Sequence, residues 1–222
     1  KVWSGSGWKG DTGNPFAGAP GCGEGVLVFG AHWSGVHAND AKTGRPLWFR
    51  KGGDIRFQGA TPLVSGGRVF VLGTKSLFEL DLKTGETVRS VDLGTKVDVP
   101  TTVIDTGRLF VFGTARRGLL AVDKKTFGVV WSGEVGDSLA ASAGYDCRPE
   151  PCVPTTPVLL PGGNRVAAAC ADGTVRIWTV ADGKTVTTFD TACPYTAGCA
   201  TDGKLLFAAD LSGKLRAFNL GD

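Results

Sequence analysis

The 222-residue sequence contains no methionine, only two histidines and two tyrosines, and no run of 18 apolar residues. The last absence excludes a membrane-crossing helix. Without a methionine or a leader segment, the chain is expected to be a processed mature form or a domain cut from something longer. Charge of one sign is not in excess either. The 24 basic and 21 acidic residues leave +3, scattered evenly, which argues against a nucleic-acid or membrane-surface partner. His32 and His37 have no serine in a recognisable nucleophile elbow to act on, so no catalytic triad is predicted.

What the sequence has in quantity is glycine, 34 residues spread between apolar stretches as turn formers rather than clustered as in a disordered chain. Those stretches repeat. In LFELDLKTGETVRSVDL, residues 77–93, two strands at 77–81 and 87–92 flank a turn whose Gly85 suits a left-handed backbone. The equivalents of Asp81 are Asp40, Asp123, Thr179 and Asn219, at successive separations of 41, 42, 56 and 40 residues. Upstream of each lies an apolar run, at 26–30, 68–73, 108–113, 165–171 and 204–209, and before those come inner segments such as ATPLV, PTTVI and PTTPVLL. Each unit therefore carries four strands, A to D, whose sheet cannot cover its own faces and needs neighbours on both sides. The predicted class is all-β, a five-bladed β-propeller in one domain. Blades are expected at about 16–51, 56–93, 97–135, 153–190 and 194–222. Residues 1–5 are expected to supply the last blade's missing strand D, because Trp3 fits the slot of Trp48 and Trp131, and so to close the ring.

A strand ending in aspartate, then x-x-T-G, then a strand with tryptophan resembles the PQQ-like, or quinoprotein-type, propeller repeat. ADGTVRIWTVADGKTV at 171–186 is also similar to a WD40 strand and its turn. The resemblance implies the fold over nearly the whole chain. Such repeats serve in quinone-dependent dehydrogenases, in outer-membrane assembly lipoproteins and as accessory domains. The dehydrogenases commonly place an adjacent cysteine pair beside the quinone, together with an acidic calcium site. No two cysteines are adjacent in this sequence, so no catalytic residue is carried over.

The six cysteines suggest disulfides and hence an oxidising, secreted or periplasmic compartment. Cys147 and Cys152, in YDCRPEPC, are expected to bridge. Cys22, Cys170, Cys193 and Cys199 leave several pairings open, among them Cys22–Cys199 across the closing seam with Cys170–Cys193, and Cys193–Cys199 locally. Structural zinc is a weaker reading, since four ligands at close spacing are wanting.

The 56-residue separation holds an insertion at 136–152, in a connection from strand D to strand A. In propellers of this kind such connections lie at the channel mouth, so the insertion is the leading recognition element, with Tyr145, Asp146, Arg148 and Glu150 as its reactive surface; a simple cap on the channel is the bland alternative. Other connections on that rim offer Asp54, Arg56, Lys96, Asp98, Asp190, Tyr195, Asp11 and Asn14. Their carboxylates suit a calcium ion, although turn chemistry alone accounts for such residues. Trp33 is either a stacking platform or a packing residue between blades. The inner strands carry no acid pair, which counts against glycoside hydrolysis. The sequence therefore predicts a monomeric, non-catalytic extracytoplasmic module binding a protein or small ligand, and no cofactor. A PQQ-dependent dehydrogenase and a carbohydrate-binding lectin stand as its rivals.

Overall fold

The structure, a computed structural model, describes residues 16–31, 35–51, 60–139 and 149–221. The chain forms two compact units, Lys1–Gly94 and Thr95–Asp222. All regular structure among the described residues is antiparallel sheet. In the first unit β1 (Phe16–Gly23), β2 (Val26–Ala31), β3 (Gly35–Asp40) and β4 (Pro46–Lys51) form one sheet in chain order. β5 (Leu63–Ser65), β6 (Arg68–Leu72), β7 (Ser76–Asp81) and β8 (Thr87–Asp92) form the next. The second unit holds β9 (Ile104–Asp105), β10 (Leu109–Gly113), β11 (Leu119–Asp123) and β12 (Val129–Gly133). These are followed by β13 (Val158–Leu159), β14 (Arg165–Ala169), β15 (Thr174–Thr179) and β16 (Thr185–Asp190). Its last sheet has three described strands, β17 (Ala200–Thr201), β18 (Leu205–Ala209) and β19 (Leu215–Asn219). The expected closing strand, residues 1–5, lies outside the described residues.

The turns after β3, β7 and β11 are built by the aspartate that ends each strand. Asp40 Oδ1 accepts from the Thr43 amide and hydroxyl, both at 2.7 Å. Asp81 and Asp123 repeat the arrangement with Thr84 and Thr126. These hydrogen bonds to the ionised form hold all three carboxyls below their ordinary value; the Thr43 hydroxyl leads at Asp40, the Lys83 amide at Asp81 and the Thr126 amide at Asp123. Each turn closes by an amide bond back to the aspartate carbonyl, from Gly44, Gly85 or Phe127, all with positive φ.

One extra residue in the fourth strand follows. The register slips between Ala38 and Asn39, Glu79 and Leu80, Ala121 and Val122, and Ile177 and Trp178. The residues turned outward by these bulges are Leu47, Val88, Val130 and Val186, each roughly half exposed. Their exposure is thus a property of the repeat.

Strand alternation divides the core between sheets. In the first unit Val28, Val36 and Ala38 pack with Val69, Val71 and Leu80. In the second, Val166, Ala168 and Cys170 face Leu109, Val111 and Leu119, while Ala167 and Ala169 on the opposite face of β14 meet Leu206 and Ala208. An indole locks two of the joints. Trp48 Nε1 donates to Leu82 O at 2.8 Å, and Trp131 Nε1 to Val180 O at 3.0 Å. Each ring lies flat over the glycine of the following turn. A Cβ on Gly85 would sit 2.6 Å from Trp48 Cε3, and one on Gly183 2.5 Å from Trp131 Cε3.

The inner strands β5, β9, β13 and β17 are shorter than the sequence implies, two or three residues each, whereas β1 runs for eight. Proline removes amide donors there, and the threonines bond across the repeat instead of along a ladder. Buried Thr101 accepts from Gly113 N at 2.9 Å and donates to Thr155 O at 3.2 Å, while Thr155 donates to Ala169 O at 2.9 Å.

Candidate functional site

Each inner strand of the second unit is approached by a lead-in segment threaded between two turns. Ala115 N, Ala171 N and Leu211 N bond to Val97 O, Cys152 O and Pro194 O, and Val153 N and Tyr195 N bond back to Thr114 O and Cys170 O of the preceding sheet. The 136–152 insertion is built onto this frame. Asp137 pairs with Pro151 in an antiparallel bridge, and Ser138 N donates to Glu150 O. The two arms are then pinned on both sides. Gly118 N bonds to Pro151 O at 3.0 Å, Leu139 N to Ala171 O at 3.0 Å, and Gly136 N to Asp172 Oδ2 at 2.7 Å. Glu150 Oε2 lies 2.9 Å from Arg116 Nε. The insertion thus leaves the sheets as a hairpin stem with a fixed base, its tip at 140–148 outside the described residues. Beside the stem is a cleft of about 330 Å³ lined by Arg116, Arg117, Glu134 and Pro151.

The second fixed point is Asp172, which also accepts from the Thr174 amide and hydroxyl and from Arg176 Nη2 at 2.7 Å; Arg176 Nη1 reaches Glu134 O at 3.0 Å. Asp210, which stands at the place of Cys170 one repeat later, accepts from the Ser212 hydroxyl, Lys214 N and Arg216 Nε. The Ser212 hydroxyl leads in holding the Asp210 carboxyl far below the ordinary carboxylate range. These buried carboxylates organise turns and have no valence left for a substrate.

Of the sequence-derived candidates, Trp33, Asp54, Arg56, Tyr145, Asp146 and Arg148 lie outside the described residues, as do Asp11, Asn14, His32 and Cys147. Asp98 and Glu150 flank the same turn, 114–118: Asp98, at φ 36°, follows Val97, which holds Ala115, and Glu150 holds Arg116. Lys96 approaches Asp98 at 3.9 Å. Asp190 is exposed one sheet further on and accepts from Ala192 N at 2.9 Å.

Tyr195 departs from expectation. It is fully buried, packed with Leu206 and Val175, its hydroxyl 2.9 Å from Thr191 Oγ1. Burial pushes its phenol pKa up. The slot it fills is apolar in the two preceding sheets, taken by Val99 and Val153, and that alignment with VPTT at 99–102 and 153–156 is the signal that identifies it. His37 is likewise internal, stacked between Phe29 and Phe49 with ring centroids at 5.5 and 4.3 Å.

Cys170, Cys193 and Cys199 are free thiols, so neither the Cys170–Cys193 nor the Cys193–Cys199 bridge is formed, and Cys22 in the first unit is a free thiol as well. Cys170 points into the cluster of Leu109 and Trp178, its thiol 3.6 Å from Ala168 O, whereas Cys199 packs on the opposite face of β14 with Ala167 and Ala169. Burial raises the Cys170 pKa well above the ordinary thiol value and that of Cys199 to about 12.

Among the described residues no three His, Cys, Asp or Glu side chains converge as metal ligands, and no helix is long and apolar enough to cross a membrane. The segments leading into the inner strands β9 and β13 present threonine and proline, with the Thr101 hydroxyl spent on Thr155 O of the next repeat and that of Thr155 on Ala169 O of its own sheet. That donor set does not match the acidic calcium site and paired cysteines of a quinone pocket.

Among solved structures, the fold is similar to BamB from Moraxella catarrhalis, with TM-score 0.74 and 22% identity over 94% of this chain and 59% of that one. It is also similar to the quinohemoprotein alcohol dehydrogenase ADHIIG from Pseudomonas putida HK5, with TM-score 0.66 and 19% identity over 93% of this chain and 42% of that one. These likenesses give the fold, a β-propeller. In sequence, 128 residues are 33% identical to the quinoprotein alcohol dehydrogenase PedH of Pseudomonas putida KT2440, covering 53% of this chain and 21% of that protein. The chain thus spans less than two thirds of each of these relatives. The family profile described as outer membrane protein assembly factor BamB matches residues 2–169, and the chain belongs to that family of PQQ-like repeat propellers.

Proposed function

We propose that the chain is a non-catalytic, extracytoplasmic propeller module that binds a protein partner through the face carrying the 136–152 insertion. The observation that carries this reading is the hairpin stem, pinned by backbone bonds to turns on both sides. A connection held so rigidly at its base presents its tip at low entropic cost, as a recognition loop requires. Membership of a family described by an assembly factor supports a protein as the partner. The same family supports a periplasmic location, with Cys147–Cys152 as a bridge within the hairpin. The module acts as a monomer of five blades, residues 1–5 completing the sheet of β17–β19. Val2-Trp3-Ser4-Gly5 repeats Val130-Trp131-Ser132-Gly133 of β12 residue for residue.

Replacing residues 140–148 by a glycine–serine linker tests the reading. Partners cross-linked to the wild-type chain in its native envelope are expected to be lost from the variant while its fold, followed by circular dichroism, is retained. Retention of every partner refutes it.

The identity to PedH favours a second reading, a PQQ-dependent oxidoreductase. It requires that the full-length protein reconstituted with PQQ and calcium bind the quinone and reduce an electron-acceptor dye with an alcohol; no binding at stoichiometric protein removes it.

A further inference from the structure

Among the described residues seven large apolar side chains are exposed, and their place in the sheets accounts for five. Leu47, Val88, Val130 and Val186 are the bulge residues, and Leu215 lies on the outer strand of the three-stranded sheet. Leu139, 59% exposed, and Leu211, 48% exposed, have no such origin. Position 211 is a buried alanine in the two preceding sheets, Ala115 and Ala171, so here a larger side chain faces outward where the frame needs only a methyl.

Both leucines border the connection 191–195, Leu139 across Gly173 and Leu211 through its backbone. A Cβ on Gly173 would lie 2.9 Å from both Leu139 Cδ1 and Cys193 N and 3.2 Å from the Ala192 carbonyl carbon, and the amide of Leu211 bonds to Pro194 O next along. Ala192 is exposed, at φ 53°. Three successive connections, the insertion stem, 191–195 and 210–214, therefore each turn an apolar group outward on one stretch of the second unit. The charges around it are unequal in kind. Arg176 and Arg216 are engaged by buried Asp172 and Asp210, whereas Asp137 and Asp190, each two residues before an apolar member, are exposed; Lys214 is the one exposed base on these three connections among the described residues.

We infer that Leu139, Ala192 and Leu211 form the contact surface for a protein segment presenting an aliphatic side chain beside a lysine or arginine. The apolar group packs against the exposed faces of the two leucines and Ala192, and the cation meets Asp190 and Asp137. This rests on the partner-binding reading above and names the chemistry of the partner. Exposed leucines on a rigid base are low in ordering cost, and a carboxylate rim selects by charge and by steering.

The test uses the full chain and phage-displayed random dodecapeptides as the probe. Selected peptides are expected to carry Leu, Ile or Phe next to Lys or Arg. They should lose about tenfold or more in affinity on Leu139→Ser and on Leu211→Ser, and show a weaker salt dependence on Asp190→Asn. Circular dichroism establishes that the variants are folded. Peptides with acidic flanks, peptides indifferent to both leucine variants, or no selected peptides at all overturn the inference. The natural partner separates the two readings. If a Leu139→Ser/Leu211→Ser variant keeps the partner that the 140–148 replacement loses, the insertion binds and this surface does not.

Discussion

Gly85→Ala should cost far more than its backbone angle alone explains. Gly85 and Gly25 have nearly the same conformation, φ 73° and 79°, but a Cβ on Gly25 meets nothing within 4 Å while one on Gly85 strikes Trp48 at 2.6 and 2.7 Å. An L-residue in the left-handed region costs about 1–2 kcal/mol, offset by about 0.4–1 kcal/mol from the stiffer unfolded chain, so Gly25→Ala should destabilise by about 1 kcal/mol. At Gly85 the indole must also move by most of an ångström. That overpacking costs about 1–3 kcal/mol, and the broken Trp48–Leu82 hydrogen bond adds about 1 kcal/mol, for a total of roughly 3–5 kcal/mol. Urea denaturation of the full chain followed by far-ultraviolet circular dichroism measures both. Trp48→Phe removes the benzo ring from above the glycine, so in that background the cost of Gly85→Ala should fall toward that of Gly25→Ala. Equal costs for the two alanines in the wild-type background would show that the indole is not a lock between sheets.

Lowering the pH should weaken the fold from about pH 4 downward. Asp40, Asp81, Asp123, Asp182, Asp202 and Asp210 all have folded pKa values below the ordinary 3.8, so their stabilisation is complete above that value and disappears as pH falls through the folded ones. A thermal midpoint as high at pH 2.5 as at pH 6 contradicts this. Iodoacetamide at pH 8 should alkylate exposed Cys22 in the native protein well before Cys170 and Cys199, whose thiols are buried and hard to ionise; peptide mapping with equal labelling refutes it. Tyr195→Phe should cost about 1 kcal/mol through the lost Thr191 bond and Tyr195→Ala about 3–5 kcal/mol, with unfolding rather than binding as the readout; a neutral alanine variant would return Tyr195 to the surface.

The turn-forming aspartates, the third-strand apolar runs and the strand pair at 77–92 were legible because each is written in residues close in sequence, an Asx turn or a period-two pattern. The inner strands were less so. Their threonines look like strand formers, yet Thr101 and Thr155 satisfy partners 54 and 14 residues away, which no local pattern reports. The insertion was visible as excess length, but its stem was not, since the bonds from Gly118, Ala171 and Asp172 are contacts between repeats. Tyr195 misled for the opposite reason. Its neighbours Cys193, Pro194 and Thr196 read as a polar loop, and only the register against Val99 and Val153 reveals a buried slot. Leu211 is the same position problem inverted, a surface leucine at a site where the repeat buries alanine.

Glycine at the turn position reflects packing more than backbone geometry, and Phe127 shows it. Phe127 occupies the position of Gly85 and Gly183 at φ 56°, so the turn tolerates a side chain. Along the sequence, Gly85 and Gly183 follow by one repeat the strands carrying Trp48 and Trp131, whereas Phe127 follows the strand carrying Arg89 at the tryptophan's place. Phe127 is itself a buried side chain, 5% exposed. Phe127→Gly then has two opposed effects. Relief of the left-handed strain contributes about 1–2 kcal/mol, while loss of a buried aromatic side chain costs about 3–5 kcal/mol, so the variant should be destabilised by roughly 2–3 kcal/mol. On backbone geometry alone the substitution would stabilise. A rise in the urea midpoint would therefore show that conformation, and not the presence or absence of an indole one repeat earlier, sets the residue at this turn.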